Sequence, residues 1–298
     1  MRRNERILVV EDDEDLCALL CRFLASEGYA ADGVHDGKAA VSRVKADPPD
    51  AVVLDVMLPG MNGFEVCQEL KFHRDTTLVP ILMLTALSDH ESRQKGLWVG
   101  ANAYVTKPYD PTDLAGKIRR LLDHRRELLE HKVHSRVELC MESDSLLRQQ
   151  LNDLLSELLL HTPLSEDEVC RIRYAVLEMT ENAIEWGNRR QKGLTVRLAY
   201  ELTDAFVKVV ITDQGSGFDP RRLPHAANDD DPVTHLSIRE KLGLREGGFG
   251  IMISRGMVDE VVYNGAGNQV TLIKRFDGQR LKDDVGRMKG SAGGEARD

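Results

Sequence analysis

Apolar and polar positions follow two different periods along the first part of the chain. Short apolar runs are separated by stretches in which apolar residues recur at helical spacing, such as 15–27, 37–46 and 63–73. This alternation predicts a parallel sheet with helices on both faces, a doubly wound five-stranded α/β domain over residues 1–123. Such sheets carry their sites at the carboxyl ends of the strands. The predicted strands are Ile7–Val10, Ala30–Val34, Ala51–Leu54, Ile81–Thr85 and Ala103–Thr106.

A helix that begins at Asp110-Pro111 is predicted to close this domain and to continue to about His134. Residues 124–134 would then form a helical linker. Two interpretations stay open: a coiled-coil seam that makes the chain a homodimer, or a single connecting helix. The seam would use leucines one heptad apart, Leu121 with Leu128 and Leu122 with Leu129.

The segment 135–277 mixes strands and helices in a different order. It predicts an α+β sandwich in which a mixed sheet is covered by helices. One helix, from Ser165 to about Trp186, is expected to end in a left-handed cap at Gly187-Asn188. The tail, 278–298, is polar and glycine-rich and is expected to be disordered. The other predicted elements are a strand at 136–141, a helix at 144–160, a hairpin of 195–202 with 206–212, and a strand at 270–276.

Composition narrows the class of protein. A chain of 298 residues favours two domains, and its net charge of -9 argues against direct nucleic-acid binding, which needs clustered Lys and Arg. The apolar run 78–87 is short and interrupted by Pro80, so no membrane contact is expected. The N-terminus is polar, and the five cysteines lack metal-site spacing. These features together predict a cytoplasmic protein.

Acidic residues follow two of the predicted strands. Glu11 and Asp12 come directly after the first strand, and Asp55 ends the third. Because the carboxyl ends of parallel strands meet at one edge, these carboxylates are expected to converge. Mg²⁺ prefers a few carboxylates together with water and phosphate oxygens. Thr85 and Lys107 follow two further strands, and a lysine offers a point charge to phosphoryl oxygens.

This set of residues resembles the receiver domain of two-component response regulators across nearly all of residues 5–123. The resemblance implies that Asp55 is phosphorylated by an upstream histidine kinase or phosphotransfer protein. The alternative is that these acids are ordinary strand-end residues. The remaining roles that the resemblance implies are Mg²⁺ binding by Glu11, Asp12, Asp55 and the backbone carbonyl of Met57, a switch pair of Thr85 and Tyr104, and a phosphate contact by Lys107.

Three motifs mark the second domain. Glu178 and Asn182 are four residues apart on a predicted helix, so they share a face; an amide oxygen suits Mg²⁺, and a carboxylate can accept a proton. Asp213 follows a strand and can accept a hydrogen bond from an exocyclic amine. Two groups of glycines can let the backbone approach a flat ring or a phosphate. They are Gly215 and Gly217 after Asp213, and Gly247, Gly248 and Gly250 before an apolar helix.

Together these motifs resemble the GHKL ATPase superfamily over roughly 135–276, closest to its anti-sigma-factor serine kinases. The resemblance implies ATP and Mg²⁺ as cofactors. It assigns Mg²⁺ binding to Asn182, adenine recognition to Asp213 and proton acceptance to Glu178, with Thr271 near the adenine. Gly215 and Gly217 would line the adenine, and Gly247, Gly248 and Gly250 would cap the phosphates. The stretch 220–246 is longer than this branch requires and is expected to act as a lid.

Two functions from different classes follow. The first is a response regulator whose receiver controls an ATP-dependent serine/threonine protein kinase, with an anti-sigma-factor antagonist as its substrate. The second is a non-catalytic ATP-binding module that sequesters a sigma factor or an antagonist. A degenerate domain that serves only for dimerisation is a third alternative, against which the intact glycines argue. A histidine kinase is disfavoured because none of His124, His131 and His134 is followed by an acidic residue.

Overall fold

The computed structural model describes residues 5–86, 100–142, 147–160, 162–191, 193–217 and 250–276. The chain divides into two compact units, Met1–Met141 and Glu142–Asp298, and each is described by itself. Among the described residues, no helix is both long and apolar enough to cross a membrane.

The first unit contains the parallel sheet that the sequence predicts. Its strand order is β2-β1-β3-β4-β5, and every neighbouring pair is parallel. The strands β3 and β4 are buried at every position, as expected for a sheet covered on both faces. The five strands are β1 Arg6–Val10, β2 Ala30–Val34, β3 Ala51–Asp55, β4 Ile81–Thr85 and β5 Ala103–Thr106.

The described helices of this unit start at side-chain caps that the sequence supplies. Asp13 accepts a hydrogen bond from the backbone N–H of Leu16, and so caps the first helix. Asn62 forms a capping box with Glu65 at the start of the third. The helices are α1 Glu14–Ser26, α2 Gly37–Ala46, α3 Gly63–Lys71 and α4 Pro111–Glu130.

The helical linker expected at 124–134 is only partly present. Helix α4 ends at Glu130, Lys132 has a φ of 55°, and the strand β6, Val133–Glu142, follows. A left-handed residue cannot continue a helix, so the chain changes to extended backbone four residues earlier than predicted. In addition, Leu122 is buried and Leu121 packs against the core of the first unit. Those two leucines are therefore used within the unit, and the homodimer stays a prediction.

The sheet of the second unit has the strand order β7-β8-β10-β9. The predicted hairpin is present as β7 with β8, and β10 pairs antiparallel with both β8 and β9. Strand β9 is not among the elements that the sequence predicts. The remaining elements are β7 Thr195–Thr203, β8 Phe206–Thr212, β9 Glu260–Tyr263, β10 Gln269–Arg275, and the helices α5 Leu147–Leu159, α6 Glu166–Asn182 and α7 Gly250–Met257.

Side chains alternate between a buried face and a less buried face along β7 and β8. The hydroxyl of Tyr200, on the buried face, donates to the carbonyl oxygen of Leu158 in α5 at 3.2 Å. The core of the second unit therefore lies between this sheet face and the helices.

The end of α6 differs from the predicted left-handed cap. The helix passes at Ala183–Gly187 into a π-helical turn, and Asn188 has a right-handed φ of -82°. The left-handed residues are Arg189 and Arg190, which come next in the chain. π-Helical turns inside α-helices occur frequently at functional sites.

Candidate functional site

The carboxyl edge of the first sheet brings three carboxylates together. Oxygen atoms of Glu11, Asp12 and Asp55 all lie within 4.8 Å of one another. Glu11 and Asp55 are buried, whereas Asp12 is exposed. Three carboxylates at this spacing form a donor set of the kind that suits a hard divalent cation. The convergence expected from the strand ends is therefore present.

Lys107 supplies the positive charge of this pocket. Its Nζ donates to Glu11 Oε2 at 2.8 Å and to Asp55 Oδ2 at 3.0 Å. Burial lowers the pKa of the Lys107 ammonium, but its hydrogen bonds to the two carboxylates outweigh burial, so its pKa is raised. Burial raises the pKa of Glu11, and Lys107 opposes this shift. Lys107 therefore links the two buried carboxylates of this pocket and compensates part of their negative charge.

The other predicted residues of the receiver lie around this pocket. Thr85 is buried at the end of β4, and its carbonyl oxygen accepts from the N–H of Lys107 at 2.7 Å. The hydroxyl of Tyr104, on β5, is buried without a hydrogen-bond partner among the described residues, and burial raises its pKa. Met57 follows Asp55 by two residues and is 64% exposed.

Gly63, at the start of α3, lies directly against the segment that carries Asp55. A Cβ atom at Gly63 would lie 2.2 Å from the carbonyl oxygen of Asp55 and 2.8 Å from Cα of Val56. No side chain can be placed at that distance from backbone atoms, so only glycine lets α3 begin there. Gly63 therefore fixes the loop after Asp55.

In the second unit, helix α6 and the start of α7 meet at a second group of predicted residues. A Cβ atom at Gly250 would lie 2.9 Å from Glu178 Oε2 and 3.5 Å from Asn182 Nδ2. The carboxylate and the amide therefore face the same helix start, as their spacing of four residues predicts. A rotation of the Asn182 side-chain amide by half a turn exchanges its nitrogen and oxygen, so the same position can present an oxygen.

Asp213 follows β8 and is almost fully buried. Its Oδ1 accepts from the backbone N–H of Gly215 at 2.8 Å. Burial raises its pKa, and the hydrogen bond from Gly215 opposes this shift. A Cβ atom at Gly187 would lie 2.3–2.6 Å from the carboxyl group of Asp213, so the π-helical turn packs against the carboxylate.

Glycines also let the loop after Asp213 lie close to other backbone. A Cβ atom at Gly215 would lie 2.1 Å from the carbonyl oxygen of Gly187. Gly217 has a φ of 74°, and a Cβ atom there would lie 1.9 Å from the carbonyl oxygen of Ala266. The two glycines are therefore required by close backbone approach and, at Gly217, by a left-handed backbone. Their expected contact with adenine stays a prediction.

Thr271 lies in the middle of β10, and its side chain alternates with the buried Val270 and Leu272. Its expected place near the adenine stays a prediction. The neighbour of Asp213 is Asn268, whose carbonyl oxygen accepts from the Asp213 N–H at 3.0 Å. Gly247, Gly248 and the lid expected at 220–246 lie outside the described residues, as does the tail 278–298.

Three residues that build this second site lie outside the predicted site motifs: Gly187, Asn188 and Asn268. The first two are predicted only as a helix cap. A glycine followed by an asparagine at the end of a helix does indicate a cap. A cap motif does not show, however, which strand end packs against it. Their contacts with the Asp213 loop follow from tertiary packing.

Comparison with known proteins supports this division into two sites. Residues 7–119 match the family model of the response regulator receiver domain, and residues 143–274 match that of the histidine kinase-like ATPase domain. The chain therefore contains a receiver domain followed by a histidine kinase-like ATPase domain. The anti-sigma kinase resemblance is consistent with the second match.

Individual relatives match in the receiver part. Transcriptional regulatory protein TcrA of Mycobacterium tuberculosis is 50% identical over 116 residues, which are 39% of this chain and 45% of that protein. DNA-binding response regulator MtrA of Mycolicibacterium smegmatis is 40% identical over 147 residues, 49% of this chain and 63% of that protein. This chain thus spans less than two thirds of these relatives. A putative response regulator structure from Chloroflexus aurantiacus matches 41% of this chain and 99% of that chain at 33% identity, with a TM-score of 0.40.

Replacing Gly63 with alanine tests the structure of the acidic pocket. Gly63→Ala is expected to weaken Mg²⁺ binding by about tenfold or more and to destabilise the first unit by about 1–3 kcal/mol, since the added methyl group displaces the backbone after Asp55. Isothermal titration with Mg²⁺ and thermal unfolding measure the two effects. Gly116→Ala is the matched control: it lies inside α4 with only Arg120 Nη1 nearby, at 3.9 Å. Equal Mg²⁺ affinities of Gly63→Ala and Gly116→Ala would contradict the role of Gly63 in shaping the acidic pocket.

Proposed function

We propose that this chain is a response regulator whose receiver domain controls an ATP-dependent serine/threonine protein kinase. In the receiver, Asp55 is the phospho-acceptor, and a receiver domain takes its phosphoryl group from an upstream phosphodonor such as a histidine kinase. A carboxylate oxygen of Asp55 bonds to phosphorus as the bond from phosphorus to the phosphodonor breaks, and the donor leaves with that electron pair. Glu11, Asp12 and Asp55, with the carbonyl of Met57, would hold Mg²⁺, which supplies charge neutralisation when bound.

Two features support Asp55 as the acceptor. Its carboxylate is buried at the last residue of β3, and Lys107 already donates to it at 3.0 Å. A lysine in that position can stay hydrogen-bonded to the phosphoryl oxygens once they replace the carboxylate oxygen. Thr85 and Tyr104 serve as the switch pair, in which the Thr85 hydroxyl approaches the phosphoryl group and Tyr104 changes its environment.

Acetyl phosphate with Mg²⁺ is expected to phosphorylate the parent chain and to leave Asp55→Ala unlabelled, because the substitution removes the proposed acceptor carboxylate. Phosphate-affinity electrophoresis or intact mass measures the addition. Asp47→Ala, which removes an exposed aspartate that pairs with Arg6 at the opposite end of β1 from Glu11, serves as the control and should be labelled like the parent. Equal labelling of Asp55→Ala and the parent would disprove the acceptor assignment.

The second unit is proposed to bind ATP between α6 and the Asp213 loop. The observation that carries this proposal is the placement of Glu178 and Asn182 against Gly250, on the helix whose next turn packs on the buried Asp213. Asn182 would hold Mg²⁺. Asp213 would accept a hydrogen bond from the adenine amine through Oδ2, the oxygen that the Gly215 N–H does not engage. Gly247, Gly248 and Gly250 are proposed to cap the phosphates.

Asp213→Asn is expected to lower ATP affinity by about 10- to 100-fold, because a charge-assisted hydrogen bond to the amine is lost. Since burial raises the pKa of Asp213, the ATP affinity of the parent should fall on acidification at a higher pH than an ordinary aspartate would give, because protonation removes the charge that strengthens the hydrogen bond. Asn182→Ala should lose Mg²⁺-dependent binding. Equilibrium binding of a fluorescent ATP analogue from pH 4.5 to 8 measures both effects.

The control for these variants is Asp167→Asn, which changes an exposed carboxylate in the first turn of α6 that pairs with Arg171. It should bind ATP like the parent. Parent-like affinity in both Asp213→Asn and Asn182→Ala would place the nucleotide elsewhere.

The reaction proposed for this site is phosphoryl transfer to a protein hydroxyl. Glu178 accepts the proton of a serine or threonine hydroxyl, the hydroxyl oxygen bonds to the γ-phosphorus, and the bond to the β-phosphate oxygen breaks to release ADP. The substrate would be an anti-sigma-factor antagonist. The relatives named as transcriptional or DNA-binding regulators match this chain in the receiver part, so their names do not determine the output of the second unit.

A second function needs only the binding half of this site. A module that binds ATP through Asn182 and Asp213 and sequesters a sigma factor or an antagonist would have no use for Glu178. The placement of Glu178 Oε2 close to Gly250, at the start of α7, favours the kinase. A reading as a dimerisation platform alone would require neither Asp213 nor Asn182.

Glu178→Gln separates the two functions. The kinase account predicts that the parent transfers radiolabelled phosphate from ATP to a purified antagonist and that Glu178→Gln retains ATP binding but loses about 10²- to 10⁴-fold in transfer rate. Glu181→Gln, three residues along the same helix, is the control and should transfer like the parent. Tight antagonist or sigma-factor binding with no transfer by the parent would favour the sequestering module.

A further inference from the structure

We propose that Asn188 is the positioning residue of the second site and that its side-chain amide sets the direction in which Asp213 presents its carboxylate. The inference rests on the proposed ATP site. It assigns a role to a residue that the sequence predicts only as part of a helix cap.

Asn188 is fully buried and joins three parts of the second unit. Its Nδ2 donates to the carbonyl oxygen of Thr195, at the start of β7, at 2.9 Å. Its Oδ1 accepts from the backbone N–H of Gln214, directly after Asp213, also at 2.9 Å. The amide therefore spans from the end of α6 to the ends of two strands.

The contact with Gln214 completes a set of hydrogen bonds along the Asp213 loop. The N–H of Asp213 donates to the carbonyl oxygen of Asn268 on one side, and the N–H of Gly215 donates to Asp213 Oδ1. With Gln214 bonded to Asn188, the backbone N–H groups of three consecutive residues are all engaged. The carboxylate orientation is thereby fixed by backbone, and Oδ2 is the oxygen that Gly215 does not engage.

The demands of the helix end alone do not explain an asparagine here. The backbone N–H of Asn188 closes the π-helical turn on the carbonyl oxygen of Ala183 at 2.8 Å, which any residue but proline can do. The side chain, in contrast, must donate to one partner and accept from another at the same time. Among short side chains only an amide does both with separate atoms, because a carboxylate has no donor and an alanine has neither group.

The π-helical turn gives the reason for the placement of Asn188. One extra residue in the turn brings Gly187 into contact with the Asp213 carboxyl group and places Asn188 beside Gln214. An ordinary α-helical end would rotate these two residues to a different face. The helix distortion and the asparagine thus act together on one strand end.

The test compares nucleotide selectivity with stability in the full chain. The variant Asn188→Ala is expected to bind ATP about tenfold or more weakly and to lose about tenfold of the ATP-over-GTP preference, since a displaced Asp213 no longer distinguishes an amine from a carbonyl. The control is Tyr200→Phe, which removes the buried hydrogen bond to Leu158 in the same unit. It should lower the melting temperature without changing the ratio of ATP to GTP affinities.

Asn188→Ser is the second variant, with a side chain too short to bridge both partners, and it should show the same loss of preference. All affinities are measured at a temperature at which thermal unfolding shows each variant folded. An unchanged ATP-to-GTP ratio in a folded Asn188 variant, or an equal loss in Tyr200→Phe, would overturn the positioning role. A parent chain that binds no ATP would instead overturn the nucleotide site, and this inference with it.

Discussion

Both sites of this chain are built around a buried carboxylate, and burying a charge costs free energy unless other groups compensate it. In the receiver, Glu11 and Asp55 lie almost out of solvent, and Lys107 bridges them. In the ATPase domain, Asp213 accepts from the backbone N–H of Gly215 instead. The positive charge of Lys107 can also bind a phosphoryl group. The backbone N–H of Gly215 engages Oδ1 of Asp213, so Oδ2 can accept a hydrogen bond from a neutral donor. The two environments therefore suit the two ligands proposed for them.

The sequence predicts the receiver almost completely. Alternating period gives the five parallel strands, and the rule that strand ends meet at one edge gives the cluster around Asp55. The prediction succeeds because each residue of that cluster lies at the end of a strand or directly after it. The apolar pattern alone predicts these strands. Lys71 is not predicted in this way. Lys71 is fully buried and donates to the carbonyl oxygens of Thr77 and Val79, which no local pattern shows.

The ATPase domain is predicted by motif but less well by geometry. Glu178 with Asn182 follows from helical spacing, and Asp213 follows from its place after a strand. The sequence gives no sign of the π-helical turn, since its hydrogen-bond pattern is decided by what Gly187 packs against. For the same reason Asn188 and Asn268 look like ordinary turn residues until the Asp213 loop lies beside them. Helix α4 also ends at Glu130, four residues before its predicted end, because Lys132 adopts a left-handed backbone.

The central claim is that a phosphoryl group on Asp55 controls the nucleotide-dependent output. A receiver has two states of similar energy, and a ligand shifts them by its differential affinity. The most direct measurement is the rate of phosphate transfer from ATP to an antagonist by the full chain, with and without beryllofluoride as a stable phosphoryl mimic. The account predicts a change of at least about fivefold in the parent and none in Asp55→Ala. Equal rates in the treated and untreated parent would contradict it.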